Sequence, residues 1–407
     1  AFGFVRLLTE TSLLGDLRPA TRTPEKALAP DADVVVVVTD EPASEVRAAV
    51  LSAKLIRGYR ALRLVDRDDR PDVAEIAGHF DVERVVGGAG ADLGALIDEA
   101  LAQCGSLFTL LMPADVVVLP DILEVSAPAF DDPEVGVVVS RVENTNAVDA
   151  VDFGGYGDHL LRHELMVSKL DDAGALPWWP GMAVVRRSAI REIDGMSRGR
   201  QGVTMSTGLR LQAAGWRITD VPVVVARRLA PWTDDRQLHR SARDLHERLS
   251  VLVDKEAGTR HERSTRLQRR VYRSADLQVG RGIQRLVLIG LLGIVLFTSA
   301  VPLVANPALL VPLWGAWMSF SLLYRREATL AVGFVPWMVS DLRLLTTDLA
   351  VAFRALPGRE LGSDLVDPAP GRMTRRVLLL GLQIGLAAAL ALIGLGIVRP
   401  EQGDFTT

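Results

Sequence analysis

Leu107-Phe-Thr-Leu-Leu-Met-Pro-Ala-Asp115, continuing as Val-Val-Val-Leu-Pro-Asp121-Ile-Leu123, is the stretch whose reading decides the fold. Apolar residues without a helical period read as a buried strand. Asp115 stands at its carboxyl end, and Pro120 restarts the chain into a short helix or turn. Open α/β sheets collect ligands outside the carboxyl ends of their strands. An acid at that point can hold a metal, and a metal can hold a diphosphate. The same acid can equally serve as a cap for the next element.

Upstream, Val34–Val38 is a pure valine strand, too apolar on both faces to be an edge. It ends in Thr39-Asp40-Glu41-Pro42. A helix follows from Ser44 to Gly58, with Val46, Val50, Leu51 and Leu55 on one side. A second strand, Ala61–Val65, runs into Asp66-Arg67-Asp68-Asp69. A helix at Asp72–His79, a strand at Val82–Val86 and a helix at Asp92–Gln103 lead back to the central strand. This alternation predicts a parallel, doubly wound sheet. Such a sheet gathers Asp40, Asp66 and Asp115 at one edge. Cys104 is the one cysteine, which excludes an internal disulfide framework and a Cys-rich metal site. It reads as a small apolar filler.

Downstream, strands are expected at Val135–Arg141, Met182–Arg187 and Arg217–Ala226. Loop and helix fill 144–180, and Trp178 and Trp179 precede Gly181. A short helix at Ser188–Ile193 turns at Asp194-Gly195, and Thr204–Ala214 is helical up to the stop at Gly215. Ala230-Pro231-Trp232 leads into a strongly charged helix, Asp234 to Asp254.

The 407 residues are 49% hydrophobic, with a mean hydropathy of +0.22, which points to membrane segments. Ile283–Val304 is a long apolar run with Arg281 and Arg285 at its basic flank. Asn306-Pro307 breaks it, and Ala308–Leu323 is a second run ending in Tyr324-Arg325-Arg326. The pair reads as a transmembrane hairpin. Residues 327–356 mix Asp341, Arg343, Asp348 and Arg354 with apolar positions, the pattern of an interfacial helix. Arg372, Arg375 and Arg376 precede a third span, Val377–Val398. The positive-inside rule places the large domain in the cytoplasm and Arg399–Thr407 outside. The net charge of −4 carries no signature for nucleic acid. The expected organisation is an amphipathic lead-in at 1–30, an α/β domain at 31–256 and a linker or interfacial segment at 257–282. The hairpin follows at 283–324, then an interfacial helix and loop at 325–371, and the third span with its external tail at 372–407.

The order of these features resembles the cellulose-synthase-like branch of the family-2 glycosyltransferases. Val34–Pro42, with Thr39/Asp40, Glu41 and Pro42, resembles that family's opening strand and Asn-Glu-Pro turn. Leu64-Val-Asp66 resembles the strand ending in the aspartate that contacts the nucleotide base. Met112-Pro-Ala-Asp115 with Pro120-Asp121 resembles the Asp-Ala-Asp metal motif. Gly181–Ile190, closing at Asp194-Gly195, resembles the acceptor-side segment. Val203-Thr-Met-Ser206 resembles the Thr-Glu-Asp segment that carries the general base. Gln237-Leu-His-Arg240-Ser241 resembles the Gln-x-x-Arg-Trp motif.

The resemblance implies a GT-A (Rossmann-like) cytoplasmic domain with a C-terminal α-helical transmembrane region in the inner (plasma) membrane. It implies a nucleotide-sugar site at Asp40, Glu41, Asp66, Asp115, Gln237 and Arg240, with Asp115 as ligand to Mg2+ or Mn2+ and a UDP-sugar as donor. Trp178, Trp179 and Gly181 fall on the acceptor side. The departures fall on the chemistry. Pro113 replaces an acid of the metal motif, Met205 and Ser206 replace Glu and Asp at the base, and Ser241 replaces the acceptor-site Trp. Three readings follow. The first is a degenerate enzyme acting as scaffold or regulator in cell-envelope or exported-polymer assembly, with a membrane or extracytoplasmic partner or a second copy. The second is an active inverting transferase with Asp171, Asp172 or Glu143 as base. The third is a translocation component.

Overall fold

The computed structural model describes residues 27, 29–88, 90–145, 167–199, 203–229, 265–269, 271 and 272. The N-terminal lead-in, Gln237, Arg240, Ser241 and the three expected spans lie outside the described residues. Among the described residues no helix is long and apolar enough to cross a membrane.

β1 (Ala32–Val38) is buried along almost its whole length. It pairs in parallel with β2 (Tyr59–Asp66) on one side and β4 (Phe108–Pro113) on the other. A strand covered on both edges and both faces is apolar along most of its length, which accounts for its valines, and its one acid, Asp33, accepts the Ser106 N–H at 3.0 Å. β3 (Glu83–Val86) extends the parallel set beyond β2. The crossovers are α1 (Ala43–Lys54), α2 (Pro71–Phe80) and α3 (Leu93–Gln103). α3 starts at Asp92, whose Oδ1 accepts the Ala95 N–H at 2.8 Å. α1 stops at Lys54, short of the expected Gly58. The Leu55 and Ile56 N–H groups fold back onto Ser52 O and Ala53 O. Gly58 then takes φ +82°, with Ala29 Cβ only 2.7 Å from where a side chain would start.

The second half contributes β5 (Val117–Val118), α4 (Ile122–Ser126), β6 (Val135–Asn144), α5 (Val167–Asp172), β7 (Ala183–Arg186), α6 (Arg187–Glu192), α7 (Val203–Ala214) and β8 (Arg217–Arg228). The sheet order is β3-β2-β1-β4-β7-β6-β8-β5. The wholly parallel sheet expected above is corrected here to a mixed one. β7 lies between β4 and β6 and runs antiparallel to both, and β5 runs antiparallel to β8. The chain enters β7 at Ala183, opposite Leu111 and Val139, from the carboxyl edge, and so runs back against both of its neighbours.

Side chains alternate across the sheet and build two cores. Val34, Val36, Leu64, Leu110 and Ile122 pack in one. Val35, Val65, Leu111, Trp178 and Ile218 pack in the other. The result is a three-layer α/β sandwich whose parallel strands all point their carboxyl ends to one rim.

Candidate functional site

The register fixes that rim. Val38 lies opposite Asp66, and Pro113 opposite Val37. Asp40, Asp66 and Asp115 therefore leave the sheet on the same side, yet each is engaged separately. Thr39 N–H donates to Glu41 Oε2 at 2.7 Å, and Thr39 Oγ1 lies 2.9 Å from both Asp40 Oδ1 and Glu41 Oε1. Glu41 is thus folded onto its own turn and buried.

Asp66 is fully buried. Its Oδ2 accepts the Arg70 N–H at 3.0 Å and Arg84 Nη1 at 2.7 Å, and Arg84 also reaches Asp69 at 3.2 Å. Asp66 Oδ1 is buried with no hydrogen-bond partner. Arg70 ties the loops after β1 and β2 together, donating to Glu41 O at 2.5 Å and pairing with Asp72. The Arg70 hydrogen bond holds the Asp72 carboxyl below its ordinary range.

Asp115 faces a cation already in place. Arg228 Nη1 lies 3.9 Å from its Oδ2, and the two side chains are 22% and 14% exposed. Arg228 Nε donates to Asn144 Oδ1 at 3.1 Å. Pro113 beside them supplies no ligand atom. Mg2+ is held by one or two carboxylates plus phosphates, so a lone acid does not by itself rule out a metal. A guanidinium at this separation does weigh against it. Each unit of like charge costs roughly 4 kcal/mol at 4 Å in a half-buried setting. Among the described residues, no group of three or more Asp, Glu, His or Cys is arranged to hold a metal ion. Among the described residues, Asp115 and its neighbours do not by themselves fit a divalent cation.

The position expected to carry the base lies on α7. Met205 is buried in an apolar cluster with Leu209 and Tyr272, and Trp179 packs against it. Ser206 is buried as well. The Tyr272 hydroxyl donates to Gln212 Oε1 at 3.2 Å, while Gln212 Nε2 donates to Leu176 O at 2.7 Å. Burial pushes the Tyr272 hydroxyl well above its ordinary range. Trp178, expected on the acceptor side, is fully buried beside Gly208, with 2.8 Å between the Trp178 Cβ and a Cβ built on the glycine. Its side chain is wholly buried in the second core, so the ring is closed to a sugar. Trp179 is half-buried, and Gly181 takes φ +153° with open space around it.

The three alternative bases differ. Glu143 is exposed, 3.8 Å from Arg227. Asp172 is exposed on α5. Asp171 is committed, its Oδ2 accepting Thr219 Oγ1 at 2.8 Å and the Asp220 N–H at 3.3 Å. Asp171 and Asp220 each keep one buried oxygen without a partner. Burial raises both carboxyls; repulsion by Asp172 adds to it at Asp171, and repulsion by Asp171 adds to it at Asp220, which is pushed up to about 8.

Arg84, Arg228, Asp220 and Tyr272 were absent from the sequence reading. The basic pair Arg227-Arg228 closing an apolar strand was the one visible signal among them.

No family model matches the chain, and no curated protein matches it. Solved structures do. The chain is similar to a mannosyltransferase from Pyrobaculum calidifontis in complex with GDP-Man and Mn2+, with a TM-score of 0.56 and 14% identity over 88% of this chain and 96% of that one. It is also matched to glucosyl-3-phosphoglycerate synthase from Mycobacterium tuberculosis in complex with Mn2+, UDP and glucosyl-3-phosphoglycerate. There the TM-score is 0.38 and the identity 13%, over 55% of this chain and 79% of that one. The first likeness shows the fold: a Rossmann-like α/β glycosyltransferase fold of the GT-A type, with a mixed sheet.

Proposed function

We propose that this glycosyltransferase-fold chain is a catalytically degenerate relative of the cellulose-synthase-like family-2 enzymes. In this reading it is anchored in the inner membrane by 283–398, with its α/β domain in the cytoplasm. It acts there as a scaffold or regulator in assembling a cell-envelope polysaccharide or glycolipid, beside a membrane protein partner or a second copy.

The observation that carries the reading is Met205, sealed against Leu209 and Tyr272 at the position that the sequence resemblance assigns to the base of an inverting transferase. General base catalysis contributes roughly 10²–10⁴-fold. Loss of the metal clamp on the leaving diphosphate removes a further electrostatic term. The experiment is to incubate the full chain, in detergent, with UDP-sugars and GDP-sugars plus Mg2+ or Mn2+ and to follow nucleotide release. No release above a protein-free control is expected. Release that disappears in Asp115→Ala would overturn the reading.

A second reading, an active transferase, draws on the mannosyltransferase likeness, since that protein was solved with GDP-Man and Mn2+. It also draws on the unpartnered Asp66 Oδ1, a buried acceptor suited to a ring N–H of a nucleotide base.

A further inference from the structure

We propose that the rim at Asp115 binds the diphosphate of a nucleoside diphosphate without a metal, the Arg228 guanidinium standing where a divalent cation would be needed. The inference rests on reading this rim as a nucleotide position. Four observations support it.

Pro113 contributes no ligand atom next to Asp115. Arg228 lies 3.9 Å from Asp115 Oδ2, beyond ordinary hydrogen-bond length, so the carboxylate orients the guanidinium without consuming its donors. The side chain is preorganised, with Nε held by Asn144 at 3.1 Å. Its carbonyl is held by Thr145, through N–H at 3.0 Å and Oγ1 at 3.2 Å. Finally, the register sets Arg228 opposite Asn144, at the end of β8 and on the same rim as Asp66. A guanidinium offers a planar fork that matches two phosphate oxygens, and a mostly buried one acts through a lower dielectric than water. Asp115 then positions Arg228 and is not a metal ligand.

The two roles of Asp115 separate in one experiment. UDP and GDP binding to the full chain in detergent is measured by calorimetry, in excess EDTA and in Mn2+. Affinities within about threefold of each other are expected in the two conditions. Arg228→Met should weaken binding about ten- to hundredfold, as losing charge-assisted hydrogen bonds does. Arg228→Lys, which keeps the charge and loses the fork, should weaken it less, and it serves as the second variant should the Met form fail to fold. Asp115→Asn, which loosens the hold on Arg228 but removes no metal ligand, should weaken binding by the same factor in EDTA and in Mn2+.

Binding seen only with metal overturns the inference. So does a loss in Asp115→Asn confined to the Mn2+ condition, or binding untouched by both Arg228 variants. No binding in either condition also overturns it, while leaving the reading of a non-catalytic protein standing. Sugar-nucleotide turnover would sink that reading instead.

Discussion

Replacing Asp220 by Asn should remove most of a pH dependence built into the fold. Asp220 sits on β8 with Oδ1 buried and unpartnered, and Asp171 of α5 accepts its N–H at 3.3 Å. Arg141, Arg217 and Asp172 are the other charges acting on the pair. Burial, then repulsion by Asp171, pushes the carboxyl from 3.8 up to about 8. The folded state therefore holds a proton that the unfolded state has released. Stability is fully present below about pH 4 and is lost as pH rises through about 8. Each pH unit inside that window is worth roughly 1.4 kcal/mol. Between pH 5 and pH 8 the parent should lose about 3–4 kcal/mol from this site, an upper value because a charged pair relaxes and admits water. For a domain of this size that is on the order of 10 °C in Tm. The assay is thermal unfolding of the full chain in detergent at pH 5, 6, 7 and 8, followed by tryptophan fluorescence. The Asn variant cannot titrate, so its profile should be flatter than the parent's by most of that amount. Parallel profiles for parent and variant would refute the reasoning, showing that Asp220 is ionised and solvated in the folded protein.

Three further outcomes follow from the same geometry. Met205→Glu puts an unpaired carboxylate among Leu209, Tyr272 and Trp179, and denaturant titration should show a loss of about 3 kcal/mol or more; an unchanged midpoint would mean the position is open to water. Gly208→Ala places a methyl 2.8 Å from Trp178 Cβ and 3.1 Å from its N, which should cost about 1–3 kcal/mol by overpacking. Near-UV circular dichroism reports whether the indole has moved, and a stable variant with an unmoved signal would argue against the close contact. Arg84→Met leaves the buried Asp66 carboxylate with the Arg70 N–H as its remaining partner, at a cost of about 3–5 kcal/mol; adding Asp66→Asn should return part of it, and a single variant as stable as the parent would show that the pair is dispensable.

The parallel half of the sheet was legible because its signals are local. Five consecutive valines can only be a strand covered on both faces, and Asp92 caps its helix three residues on. The reversed β7 was not legible, since nothing in Ala183–Arg186 states its direction, which is set by the edge from which the chain enters. The sequence places the end of β8 at Ala226, where its apolar run stops. The structure extends the strand to Arg228, and the missed pair includes the residue that meets Asp115. Asp171 and Asp220 are 49 residues apart, as are Asp115 and its partner by more than twice that, and no spacing rule reaches so far. The metal motif was read from its residue types, whereas the cation beside it is supplied by another strand.

Tyr272 is also an anchor point. It is docked against Met205 and Leu209, and Ile283 opens the apolar run only 283 − 272 = 11 residues later. Eleven residues at full stretch reach about 40 Å at most. A domain of this size is itself roughly 45 Å across. On the proposed anchoring, the leash is shorter than the body it holds. The domain then cannot turn end over end beneath the bilayer, and the side carrying Trp179 and α7 stays within one body length of the lipid. Anything that meets that side would most readily arrive along the membrane, as a lipid-borne chain or a neighbouring integral protein would.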